Sequence, residues 1–285
     1  ILTESNKQEV SVEHLVDLGD PYSGYNRSIP ISSFLPPLLA ELGLPTVVHG
    51  LDSVSPKYGL THRHINQALG LSVDHSTAEA KARIENTSIG WSYVDQKSYC
   101  KGLHDMVPLR DRVIKRTVIN TVETLIGPLR GKTTHSILGY VHKPYPPIYA
   151  HLVKASGMDT ALLVRGVEGG VVPSLRQKGL MISYQGTKEQ DRVDIDPSSI
   201  GIDQDMRAIS FPGEMDVKSD IKDLAEYTVK LGRSALSGEQ GMFYDGLVLS
   251  ASLILWHTKK SDSLADAAKI VRSTLDSGKV LNRLK

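Results

Sequence analysis

The sequence predicts an α/β fold built from parallel βαβ units, with the sheet covered by helices on both faces. Three observations predict it. Short β-branched runs end in glycine, helical patterns follow them, and the last third turns rich in Leu, Ala, Ile and Val. Residues 14–18 form the first run and lead into Gly19-Asp20-Pro21. Apolar Phe34, Leu35, Leu38, Leu39 and Leu42 then mark a helix over 31–42. Pro45-Thr46-Val47-Val48-His49 is the next strand and ends at Gly50. Residues 135–141 make a third, stopped by a turn at Pro144, Pro146 and Pro147 before a short helix over 148–155. Residues 160–165 make a fourth and end at Gly166. Binding loops in such sheets lie at strand carboxyl ends, here Gly19, Gly50 and Gly166.

Residues 185–216, with five aspartates between 191 and 205, read as a loop-like insertion or mobile segment. Helices follow over 220–236 and 242–256, the second apolar nearly all round, as in a buried helix or a subunit contact. Ser263, with Asp266 three residues on, starts another. Leu264, Ala267, Ala268, Val271 and Leu275 share its face, and Gly278 ends it. Helices closing an α/β domain explain this region without a second domain.

The 285 residues are 40% hydrophobic and 23% charged, as in a soluble globular chain with a sizeable core. A net charge of +1 argues against a dedicated polybasic DNA binder. That balance hides two opposed stretches. Residues 97–154 hold ten Lys/Arg against three acids, and residues 189–226 hold eleven acids against four bases. They read either as two solvated faces or, for the basic one, as an anion site. One cysteine, Cys100, excludes an intramolecular disulfide and any multi-cysteine zinc site. No apolar run approaches the roughly 18 residues of a membrane span. The opening Ile1-Leu2-Thr3 predicts a portion of a longer polypeptide in a reducing, intracellular compartment, cytoplasm and plastid both being open.

Five colinear segments resemble the anthranilate phosphoribosyltransferase family, also called glycosyltransferase family 3. They are Val16-Asp17-Leu18-Gly19-Asp20 through Gly24 with Asn26-Arg27-Ser28-Ile29, then Val47-Val48-His49-Gly50. Next come Pro108-Leu109-Arg110-Asp111-Arg112 with Arg116-Thr117, Asn120 and Gly127-Pro128-Leu129, then 161–169 with Arg165-Gly166, and last Asp276-Ser277-Gly278-Lys279. The resemblance implies a central mostly parallel sheet flanked by helices, of the nucleoside phosphorylase/phosphoribosyltransferase C-terminal-domain type, with a helical cluster. It also implies one large domain over 1–285, with a small helical dimerisation domain upstream and hence a homodimer.

The family transfers ribose 5-phosphate from phosphoribosyl pyrophosphate to anthranilate, using a glycine-rich loop for pyrophosphate and Mg²⁺ on its oxygens. On that resemblance Gly19, Gly24, Asn26, Ser28, His49, Gly50, Arg110, Arg116 and Asn120 are the candidate ligand- or anion-binding residues. Several positions depart from the pattern. Pro21 removes an N–H donor from the loop and Tyr22 adds bulk. Ile29 replaces a threonine, and Val48, Leu51 and Asp52 replace lysine, asparagine and arginine. Cys100-Lys101 stands where the family has His-Pro, with His104 nearby. Val171 and Val172 occupy the Asp-Glu position that holds Mg²⁺, a metal that demands oxygen ligands; Glu168 or the carboxylates at 189–205 are the available substitutes. No residue is assigned as catalytic, and Mg²⁺ is expected only if transferase activity holds.

A divergent YbiB-like branch of the family shares the spacing from Arg116 to Pro128 and the Glu-Gly at 168–169 followed by Pro173 and Arg176. Its members are described as nucleic-acid binders. His62 and His64 read as surface or cap residues, Cys100 as a structural thiol, and Trp91, Tyr93 and Tyr99 as core aromatics ahead of base-stacking ones. The preferred function is a degenerate family member binding an anion, either nucleic acid or a phosphorylated metabolite. An active phosphoribosyltransferase and a scaffold subunit of a larger assembly are the alternatives.

Overall fold

The computed structural model describes residues 5–113 and 115–285; the opening Ile1-Leu2-Thr3 lies outside them. Nine strands form among the described residues, β1 (Gln8–Glu9), β2 (His14–Gly19), β3 (Thr46–Gly50), β4 (Trp91–Asp95), β5 (Leu129–Arg130), β6 (Thr133–Gly139), β7 (Thr160–Val164), β8 (Gly179–Gln185) and β9 (Lys188–Ile195). Seven of them make one sheet in the order β4-β3-β2-β6-β7-β8-β9, while β1 and β5 pair apart. The first five strands of that sheet are parallel, and β8 and β9 add antiparallel to β7. The expected fold, a mostly parallel sheet flanked by helices, is the one observed.

Both faces are buried because alternate residues of each central strand supply a different core. Val16, Leu18, Val48, Ile137, Leu162 and Val164 face the larger core, under helices Leu35–Glu41, Ile221–Leu236, Met242–His257 and Leu264–Asp276. Leu15 and Val47 face a second cluster with Ala80, Ile84 and Leu103, and Leu138, Ala161 and Leu163 a third with Ala150 and Val153. Helix Met242–His257 is buried nearly throughout, which explains its all-round apolar sequence. Ser263 caps the last long helix by accepting from the Asp266 N–H at 3.0 Å, and Gly278 closes it at φ +66°.

Three expectations need correction. Strand β4 lies where no strand is expected, because Ser92 and Asp95 break its apolar run. Residues 185–216 are not one loop, since 188–195 form β9, an edge strand hairpinned onto β8. Pro146 and Pro147 do not make a turn; they sit in the first turn of helix Tyr145–Ala155, where a missing N–H costs nothing.

Helix Ile221–Leu236 approaches the core closely at Gly232, where an added Cβ would stand 2.2 Å from the Phe34 ring. Phe34 is held edge-on against Phe243, with ring centroids 5.5 Å apart. Gly232→Ala is therefore expected to cost about 1–3 kcal/mol through overpacking. Urea unfolding should show a lowered midpoint at unchanged slope; an unmoved midpoint would contradict this packing.

Candidate functional site

Strand order reverses at β2, which has β3 on one side and β6 on the other. The crevice beyond Gly19 and Gly139 is the place where such sheets bind ligands. Here it is filled from within. The Gly169-Gly170 turn lies across Gly139, where a Cβ would come within 2.1 Å of the Gly170 carbonyl. Asp20 is buried beneath the turn and accepts from Val171 N–H at 2.9 Å, Tyr25 OH at 2.8 Å and the Ser32 hydroxyl. His62 Nε2 stands 3.1 Å from the same carboxylate, and its Nδ1 is 2.8 Å from Ser33 Oγ. Burial pushes the Asp20 carboxyl up, but His62 and the two hydroxyls outweigh it and hold it below its ordinary value. His62 is thus a buried partner rather than a surface residue, while His64 caps its helix by accepting the Thr61 N–H.

The loop over 19–24 has its interior taken by Tyr22, whose side chain turns inward and is 2% exposed. Its hydroxyl meets both His49 Nδ1 and Tyr99 OH. His49 Nε2 in turn lies 3.1 Å from Asp17 Oδ1, so His49 is committed to a buried chain of side chains. Burial drives the Tyr22 phenol well up, which keeps it protonated. Leu51 and Val54 pack on Tyr22 under Val107. Gly24, at φ +69°, serves a close backbone crossing: a Cβ there would meet Gly59 at 2.6 Å. Gly19 is similarly tight, against Leu138 at 2.4 Å, whereas Gly50 has ordinary room beside Tyr93.

A cluster of donors does converge just past the loop. The Asn26 and Arg27 N–H groups, the Ser28 hydroxyl and the Lys57 ammonium all point to one place, and the Glu168 carboxylate occupies it. Their distances to its oxygens are 3.3, 3.1, 2.8 and 3.3 Å in that order. Lys57 also donates to the Gly24 and Glu168 carbonyls at 3.0 and 3.1 Å. Glu168 reaches in from a left-handed backbone, φ +54°, which costs a non-glycine residue of order 1–3 kcal/mol. Burial raises its carboxyl, but Lys57, Ser28 and Asn26 together leave it below the ordinary range.

A depressed carboxylate contributes stability above its unfolded value and loses it as pH falls through the folded value. Glu168→Gln should therefore be less stable than the parent at neutral pH, with the gap narrowing on acidification. Denaturant midpoints across the acidic range check it; a constant gap would contradict the ion pair.

The remaining candidates do not join the donor cluster. Arg110 is buried and grips Glu123 with two bonds of 2.7 and 2.8 Å. Burial pushes the Glu123 carboxyl up while Arg110 pulls against it, and Gln96 donates to it at 3.3 Å. Asn120 accepts the Thr117 N–H at 2.9 Å and donates to the Ser55 carbonyl at 3.3 Å, a local cap and strap. Arg116 is exposed, close enough to Lys57 and Tyr149 to influence both. Trp91, Tyr93 and Tyr99 are all buried, as core aromatics.

Val171 and Val172 are 2% and 8% exposed and sit in the larger core. They offer no oxygen for Mg²⁺, and the nearby Asp20 and Glu168 already accept from side chains and N–H groups of this chain. Among the described residues no group of three or more His, Cys, Asp or Glu is placed to hold a metal. The residues present do not fit the metal site that the resemblance implies.

The family model described as "Glycosyl transferase family, a/b domain" matches residues 23–281. The chain belongs to this family. It is 27% identical over 283 residues to the anthranilate phosphoribosyltransferase of Aquifex aeolicus, covering 96% of this chain and 75% of the relative. It is also 26% identical over 255 residues to an uncharacterised protein of the same organism, covering 89% and 72%. The Saccharomyces cerevisiae anthranilate phosphoribosyltransferase solved with PRPP and Mg shares the fold, at a TM-score of 0.77 and 16% identity over 99% of this chain and 74% of that one.

Around the filled crevice, this glycosyl transferase family domain presents a rim that is basic and apolar together. Arg112, Lys115, Arg116, His142 and Lys143 are exposed there, whereas Lys154, also exposed, lies at the far end of helix Tyr145–Ala155 toward the start of β7. Val118 (75%), Leu109 (57%) and Ile148 (52%) are exposed as well. Tyr145 lies between His142, tilted at 41°, and Tyr149, edge-on at 82°, with centroid distances of 5.7 Å on either side. Other bases of the stretch are paired, Lys101 with Asp105 and Lys132 with Glu13. No helix among the described residues is long and apolar enough to cross a membrane.

Proposed function

We propose that this family member has no phosphoribosyl transfer activity and instead binds an extended polyanion, single-stranded nucleic acid, on the basic rim outside the crevice. The observation that carries the reading is the Glu168 carboxylate seated among four donors suited to an anion. A protein that must admit a phosphate there would have to expel its own side chain from partly buried hydrogen bonds. Tyr22 inside the neighbouring loop supports the same conclusion. The rim supplies what a polyanion needs, namely exposed Arg and Lys for phosphates and the Tyr145 ring for stacking. Transfer of ribose 5-phosphate to anthranilate, the activity named for several relatives, is the alternative.

Purified protein should retain single-stranded oligonucleotides in a gel-shift at low salt, without sequence preference and with a steep salt slope. Replacing Arg116 and Lys143 by alanine should make that slope shallower by about one for each phosphate left without a cation. Absence of retention at low salt would overturn the binding proposal.

A further inference from the structure

We propose that the opposite end of the sheet carries a second site, which binds a small oxyanion of the phosphate class and reports its binding inward through a tautomeric chain of three histidines. The site is a cavity of about 460 Å³ at the edge where β2, β6 and β7 begin and β8 ends. Its polar lining includes His14, His135, His257, Gln185, Lys259 and Lys260. Asp191 contributes a carboxylate to that lining, and Asp159 faces His135 from the start of β7. The volume lies within the range of small-molecule sites, and the site is independent of the proposed polyanion rim.

Along the wall of the cavity runs an unbroken line of hydrogen bonds across four strands and a helix end. His14 Nδ1 lies 3.1 Å from His135 Nε2, and His135 Nδ1 2.8 Å from Thr160 Oγ1. Thr160 Oγ1 lies 2.9 Å from His257 Nε2, and His257 Nδ1 2.9 Å from Ser183 Oγ. His135, Thr160, Ser183 and His257 are each at least nine-tenths buried, while His14 is at the open end.

Such a chain has two self-consistent arrangements with every member neutral. In one, His14 Nδ1–H donates inward and each later N–H or O–H does the same, ending at Ser183. In the other, Ser183 donates outward and every proton moves to the opposite side of its ring or hydroxyl. The two differ at the mouth: His14 Nε2 is a bare acceptor in the first and an N–H donor in the second. Proton number is conserved, so no protonation is needed. Burial supports neutrality inside, pushing His135 to about 4, with His14 and Lys260 adding to the effect, and His257 to about 3, with His135 and Lys259 adding.

An oxyanion drawn in by Lys259 and Lys260 favours the second arrangement, because it needs a donor from His14. The change then reaches His257, the last residue of the buried helix Met242–His257. Imidazole ¹⁵N shifts distinguish the two tautomers, so the test is a titration of the protein with inorganic phosphate, with sodium chloride at matched ionic strength as control. All three histidines should switch together and saturably. Lys259→Ala with Lys260→Ala should weaken the apparent affinity about tenfold or more. Thr160→Val should leave His14 and His135 responding while His257 no longer does. Ser183→Ala, a milder change at the far end, should fix His257 in one tautomer. No saturable change, a change matched by chloride, or a response of His14 alone would each overturn the proposal.

Discussion

Arg110→Ala is expected to destabilise the chain by about 3–5 kcal/mol, the cost of leaving a buried carboxylate without its partner. Arg110 and Glu123 are 3% and 0% exposed as side chains and share two short bonds. Glu123 has only Gln96 as a further side-chain donor among the described residues, at 3.3 Å, and Gln96 leaves its own Oε1 without a partner among them. Without the guanidinium, Glu123 must take up a proton or draw in water. The resulting loss is a large fraction of a typical domain's stability. Removing both charges should hurt far less: Arg110→Met with Glu123→Leu is expected to recover much of the deficit, since the pair itself stabilises little against an apolar replacement. Denaturant unfolding of the two single variants and the double gives the coupling directly. Were Arg110 a ligand-binding residue instead, Arg110→Ala would keep its stability and lose anion affinity alone.

Glu168→Ala is expected to create affinity where the parent has none at that place. It removes the internal anion and leaves two N–H groups, one hydroxyl and Lys57 facing a space of carboxylate size. Hydrogen bonds to a charged group are worth about 1.5–3 kcal/mol each, so even one or two realised fully would give phosphate at least about a tenfold gain. The same change leaves Lys57 partly buried without its counter-charge and should lower stability, and Glu168→Gln should fill the space and gain little. Calorimetric titration with inorganic phosphate compares the three proteins. Equal, weak binding by all of them would show that the donors do not form a cradle.

Four of the five parallel strands of the main sheet were legible because each joins an apolar run to a glycine: β2, β3, β6 and β7 follow that pattern, and β4, interrupted by Ser92 and Asp95, does not. Strand β9 was not legible either, because from Lys188 to Asp194 it is solvated on its outer edge and carries charge where a central strand would alternate. The absence of metal-ligating side chains at Val171 and Val172 could be read directly, since valine has no ligand atom. What fills the crevice could not. Ser28 and Glu168 lie 140 residues apart, and His49 and Tyr22 lie 27 apart; only the fold brings either pair together. The left-handed backbone at Glu168 leaves no local signal either, because Glu-Gly-Gly reads as an ordinary turn.

The most direct test of the central claim is pyrophosphate release by the purified protein given phosphoribosyl pyrophosphate, Mg²⁺ and anthranilate. With Tyr22 inside the loop, Glu168 in the donor cluster and valines at the metal position, release should not rise above the protein-free blank. Magnesium-dependent release that scales with protein concentration would contradict the account.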